Sequence, residues 1–205
     1  MSTRDELLGR IRRSQPAARP LPPLPEFEAP PPSVAAFRAA LERMGGHWAE
    51  LPAGGRLASH VAALFPDAQV VCSATDEVRG RRALDPALPP ASLADVDVGV
   101  VRAALGVAET GSVLLTESQL VVEAIGFLPQ HLLVLLDPAR IVPTLHQAYC
   151  DPAFGLARYA VFLTGPSATA DIEGVLIHGA QGVRSLTVVP LAEVPSRPGS
   201  GTGAA

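Results

Sequence analysis

Apolar residues in this chain follow two patterns that alternate along its length: short unbroken runs, and stripes at helical spacing. Residues 132–136 form an unbroken run, and 69–72, 159–164 and 186–189 are mostly apolar runs of the same kind. Runs this short, rich in Val and Leu and closed by turn residues such as Asp137-Pro138 and Gly165-Pro166, predict buried strands. Residues 56–65 and 143–149, and the stretch from Gly165-Pro166 to His178, are expected to be helices. Residues 107–108 and 112–115 flank Glu109-Thr110-Gly111 and predict a strand pair or one bent strand. Apolar strands separated by helices argue for an α/β class with a mainly parallel sheet covered on both faces.

Upstream the pattern differs. Leu7, Leu8 and Ile11 share one face of a predicted helix over residues 5–14. Residues 15–32 hold eight prolines, which fix φ and remove donors, so they predict an extended linker. Ser33 then caps a helix carrying Val34, Phe37, Leu41 and Met44 at helical spacing and ending at Gly45-Gly46. The first helix is therefore expected to stand off the domain body and to meet another chain. Residues 195–205 are rich in Gly, Ser and Pro and predict a disordered tail. The expected division is 1–32 for helix and linker, 33–194 for the domain, and 195–205 for the tail.

Composition removes several classes of function. A net charge of −4 and a pI near 5.7 disfavour nucleic acid, whose phosphates need a basic face. All 16 basic residues are Arg; without Lys there is no Schiff-base chemistry and no P-loop lysine. Cys72 and Cys150 are the only cysteines, too few for the four thiolates of an iron–sulfur cluster. They form no C-x-x-C pair, and two buried reduced thiols are expected. The polar start and the lack of an apolar run of about 20 residues lead to the expectation of a cytoplasmic protein without a membrane span.

Three segments are candidates for chemistry. In the first, Thr164, Gly165, Pro166, Ser167, Thr169, Asp171 and Glu173 would form a turn and a first helical turn at the sheet's carboxyl edge. Free N–H groups there suit a small anionic ligand, although a capped helix without ligand satisfies the same pattern. In the second, Glu109 beside Thr110 and Gly111 places a carboxylate where glycine allows close approach, suiting a nucleophile or general base; a turn with its acid in water is the plain alternative. Third, His131 opens an apolar strand and could take part in catalysis, while His178 would end the helix, where the dipole favours it. No spacing supports a metal site.

Taken in order, Ala108-Glu109-Thr110-Gly111-Ser112, Leu128-Pro129-Gln130-His131, Arg140-Ile141-Val142-Pro143-Thr144-Leu145, and Thr164 to Glu173 continuing to His178-Gly179-Ala180-Gln181-Gly182 resemble the LUD-domain family, in particular its lactate utilization protein C members. Ala168 and Gln181 stand where that family usually has a basic residue and often a histidine. The resemblance implies a three-layer α/β/α sandwich similar to the sugar-phosphate isomerase and CoA-transferase fold. It also implies a part in oxidising L-lactate to pyruvate, with no cofactor in this chain and iron–sulfur clusters in partner subunits. Two alternatives stay open: a stand-alone enzyme of this fold using Glu109, and a scaffold or regulator without catalysis.

Overall fold

The unbroken apolar run Leu132–Leu136, preceded by His131, is the middle strand of a five-stranded parallel sheet. The computed structural model describes residues 3–17, 19, 20, 22, 23, 25 and 27–192, so the expected tail lies outside the described residues. In chain order the elements are α1 (Thr3–Arg13), α2 (Val34–Arg43), β1 (His47–Trp48), α3 (Leu57–Leu64), β2 (Val71–Ser73), β3 (Val98–Arg102), β4 (Leu105–Val107), β5 (Ser112–Thr116) and α4 (Glu117–Leu120). They continue with β6 (His131–Leu136), β7 (Ile141–Val142), α5 (Leu145–Cys150), α6 (Pro152–Gly155), β8 (Ala160–Leu163), β9 (Ala168–Thr169), β10 (Ile177–His178) and β11 (Ser185–Pro190).

The central sheet has the order β1-β11-β6-β3-β2. Its strands are apolar on both faces because both faces are covered, as parallel sheets require. Val98, Val100, Leu133, Leu135 and Val189 pack with Leu57 and Val61 of α3. On the other face, Val101, Leu132, Val134, Leu136, Leu186 and Val188 pack with Phe37 and Leu41 of α2 and with Val113 and Leu115 of β5. The architecture is thus α/β with a mainly parallel central sheet and a layer on each side, matching a three-layer sandwich.

One covering layer is not purely helical. β7, β4, β5 and β8 form a second, four-stranded sheet in that order. β4 and β5 are an antiparallel hairpin, β8 runs antiparallel to β5, and β7 runs parallel to β4. Its inner face joins the core shared with the central sheet, and Leu105, Val107 and Leu114 on its outer face pack with Ala148 of α5. The strand expected at 159–164 therefore belongs to this smaller sheet, where Ala160–Leu163 is half-buried at an edge.

Local chemistry sets the ends of α2. Ser33 sits in extended backbone and accepts from the N–H of Ala36 at 3.2 Å, and Met44 N–H closes on Ala40 O. Helix α1 forms as expected but buries none of its residues; Leu7 is 57% and Ile11 51% exposed.

The helix expected between Ser167 and His178 is absent. Instead β9 and β10 pair antiparallel, with Thr169 opposite Ile177 and Ala168 opposite His178. The Thr169 hydroxyl accepts from Asp171 N–H at 3.3 Å, a local bond that competes with a helix start. Glu173 and Gly174 both take positive φ, 56° and 70°, which ends any right-handed turn. Ile172, Val175 and Leu176 are 48%, 60% and 62% exposed, so no apolar stripe is buried to stabilise a helix. His178 is accordingly an exposed strand residue, and no helix dipole acts on Asp171, Glu173 or His178. Of the two cysteines, both free, Cys72 is buried and Cys150 is exposed, which corrects the expectation of two buried thiols.

Candidate functional site

The second sheet brings four strand ends to one edge. β4, β7 and β8 finish there and β5 starts there, as their registers require. The Glu109-Thr110-Gly111 turn, the Pro143-Thr144 entry to α5 and the Thr164-Gly165-Pro166 turn consequently meet, beside the C-terminal end of α2. Together they border a cleft of about 430 Å³ lined by Ala40, Arg43, Met44, Glu109, Thr110, Ser112, Leu145, Tyr149, Phe162 and Thr164. That volume suits a small molecule, since ligand pockets run roughly 300–1,000 Å³.

Two glycines explain how α2 comes so close. Gly111 has φ +71°, and a Cβ there would lie 2.2 Å from the Leu41 nitrogen. Gly165 has φ +66°, and its Cβ would lie 2.2 Å from the Met44 carbonyl oxygen. Both motif glycines thus seat the last turn of α2 against the two turns, which brings Arg43 to the cleft.

Inside the cleft the polar groups are ordered. Ser112 Oγ hydrogen-bonds Thr164 Oγ1 at 2.5 Å and Thr110 Oγ1 at 2.7 Å, a chain of three hydroxyls crossing from the hairpin to the Thr164 turn. Leu145 N–H donates to Glu109 Oε2 at 3.1 Å, so one carboxylate oxygen caps the first turn of α5 alongside Thr144, which caps Gln147. Glu109 is otherwise exposed and keeps acceptor capacity for a ligand. On the outer wall Tyr149 and Phe162 stand edge to face, with centroids 5.5 Å apart.

The predicted site residues divide by location. Glu109, Thr110, Gly111, Thr164 and Gly165 meet at this edge. Pro166 and Ser167 lead away into β9, the base of which is pinned by Ser167 N–H on Val183 O and Gly179 N–H on Ser167 O. Thr169, Asp171, Glu173 and His178 line none of these clefts and sit on the β9–β10 loop and its strands.

His131 lies elsewhere, in a cleft of about 540 Å³ with His47, Asp67, Asp97, Arg184 and Ser185, at the amino end of the parallel strands. Its Nδ1 shares a 2.8 Å hydrogen bond with Ser185 Oγ, its neighbour across the strand pair. Phe65 packs on the ring at 5.1 Å between centroids. Burial holds the imidazole below its ordinary pKa, reinforced by Arg184 and opposed by Asp97. The sign follows: the unfolded chain takes up this proton at higher pH than the folded one. Stability should therefore fall as pH drops through about 6.5 toward the lower folded value. His131→Asn, which retains a partner for Ser185, should flatten the melting temperature between pH 7.5 and 5.5; an unchanged slope would rule out His131 as its source.

A third cleft, about 560 Å³, opens at the carboxyl end of the parallel strands between Thr75, Asp76, Glu77, Arg102, Ser118, Gln119 and Leu191. Arg102 donates from Nε to Glu77 Oε1 at 2.7 Å and from Nη1 to the Leu191 carbonyl at 3.0 Å. Burial pushes the Glu77 carboxyl up, but its own backbone N–H, Arg102 and Thr75 outweigh this and leave it below the ordinary range. Sequence reasoning missed this pair, as it missed Arg43, because a single Arg at an element's end carries no motif. Among the described residues no group of three or more His, Cys, Asp or Glu is placed to hold a metal, and no helix is long and apolar enough to cross a membrane.

Comparison with known proteins completes the picture. A family model described as the LUD domain matches residues 90–190. An uncharacterized protein of Neisseria meningitidis serogroup B is 28% identical over 100 residues, which span 47% of this chain and 43% of that protein. The match therefore extends over less than half of that relative. The crystal structure of a DUF162 family protein from Deinococcus radiodurans superposes with a TM-score of 0.57 at 18% identity, covering 77% of this chain and 94% of that one; it shares the fold. The hairpin turn, the α5 entry and the Thr164 turn that build the first cleft all fall inside residues 90–190, the segment that matches the LUD domain.

Proposed function

We propose that this chain is the non-iron–sulfur subunit of a bacterial L-lactate utilization system, acting with iron–sulfur partner subunits that oxidise L-lactate to pyruvate. The LUD domain over residues 90–190 carries this reading. The cysteines agree with such a division of labour: one free thiol is buried in the core and the other is exposed at the end of α5. Two thiolates in separate environments do not make a cluster site, so the electrons pass through partners. Helix α1, with no buried residue and a proline-rich tether, is the partner-facing element.

The test is lactate-dependent reduction of an artificial electron acceptor in extracts of the source strain, with and without this chain. Loss of activity on deletion, restored by adding the purified protein, is expected. Unchanged activity in a strain with no second lactate-oxidising enzyme would overturn the proposal.

A further inference from the structure

The cleft between α2 and the second sheet contains one cation and one carboxylate, each contributed by a different part of the chain. Arg43 comes from the last turn of α2, outside the matched residues 90–190, whereas Glu109 comes from the β4–β5 turn within them. Arg43 makes no ion pair or side-chain hydrogen bond among the described residues; the only ion pair on its helix joins Arg38 to Glu42. Glu109 uses one oxygen on Leu145 N–H and has the other to offer. Three hydroxyls of the Thr110, Ser112 and Thr164 chain lie between the two turns, and Leu145, Phe162 and Met44 supply apolar wall.

We infer that this cleft is a binding site for a short carboxylic acid that carries a hydrogen-bond donor on the carbon next to the carboxylate, with Arg43 as the anion anchor and Glu109 as the acceptor for that donor. A guanidinium presents paired N–H groups that match a carboxylate. The neighbouring carboxylate, which would repel a plain acid, becomes favourable when the ligand turns an O–H or N–H toward it. The apolar wall takes a short alkyl substituent. 2-Hydroxy acids and 2-amino acids share this chemistry; the lactate-utilization reading, on which this step rests, puts the 2-hydroxy acid first.

Titration of the full-length protein with sodium L-lactate, L-alanine and sodium propionate, followed by NMR or calorimetry, tests the assignment. L-Lactate should bind more tightly than propionate, which lacks the donor. Arg43→Gln should weaken L-lactate roughly 10- to 100-fold, as expected for a lost charged hydrogen bond. Glu109→Gln keeps an acceptor for Leu145 N–H but presents the ligand with a donor, to which a hydroxyl can still act as acceptor and an ammonium cannot, so the preference for lactate over propionate should shrink and that for L-alanine over propionate should disappear. Both positions are exposed, and unchanged thermal melts would show that each variant folds. Equal binding of lactate by Arg43→Gln and the native protein overturns the site, as does propionate binding as well as lactate. Tighter binding of L-alanine overturns the ranking of the hydroxy acid. Native protein that binds L-lactate here but fails to restore the deleted extract overturns the proposed role and leaves the site standing.

Discussion

Gly111→Ala should destabilise the protein by roughly 3 kcal/mol, the sum of a left-handed backbone penalty of about 1–2 kcal/mol and an overpacking term of about 1–3 kcal/mol. The added methyl would lie 2.2 Å from the Leu41 nitrogen, 2.5 Å from its Cα and 2.7 Å from the Ala40 carbonyl carbon. All three are backbone atoms and cannot rotate aside, so α2 must retreat from the hairpin. Gly54 provides the control, because it has the same φ of +71° with nothing within 4 Å of an added Cβ. Gly54→Ala should cost only the backbone penalty. Urea denaturation of the two variants separates contact from strain, and equal midpoints would show that the close approach of α2 contributes nothing.

That close approach is where sequence and structure part company. The strands at 132–136 and 186–189 were legible because they are buried on both sides, and burial on both sides leaves a run that is apolar throughout in the first and broken only by Thr187 in the second. Ser33 and the Glu109–Gly111 turn were legible because caps and hairpin turns are local chemistry. The split into two sheets was not. β5 is buried along its whole length, so its sequence has the same unbroken character as a parallel strand, although it pairs antiparallel on both sides. Which neighbour a buried strand chooses is a tertiary matter that periodicity does not encode.

The stretch from Ser167 to His178 failed for a different reason. Its apolar positions Ile172, Val175 and Leu176 have helical spacing, but spacing stabilises a helix only when the stripe is buried, and here it faces solvent. The anion site imagined at that helix goes with it. Of the expected site residues, Glu109, Thr110 and Thr164 meet and His131 does not join them; the cation beside them is Arg43, whose place in the cleft depends on two glycines more than 60 residues away in sequence.

Because Arg43 reaches the cleft only while α2 is seated, the anchor of α2 in the core should set how much of the protein is folded and able to bind, while Arg43 sets the affinity of the folded protein. Phe37 is that anchor. It is fully buried, meets Trp48 edge to face at 5.9 Å, and packs against Gly106, where an added Cβ would lie 2.9 Å from the ring. Phe37→Ala should cost about 3–5 kcal/mol, the usual range for removing a buried aromatic and leaving a cavity. Phe37→Leu, which keeps most of the volume, should cost well under half of that. In the folded fraction of Phe37→Leu, L-lactate binding should weaken only slightly, whereas Arg43→Gln should abolish most of it with little change in stability. The two variants therefore move opposite readouts. A Phe37→Ala loss below about 1.5 kcal/mol, smaller than ordinary aromatic truncations, would mean that Leu41 and the glycine contacts hold α2 without it.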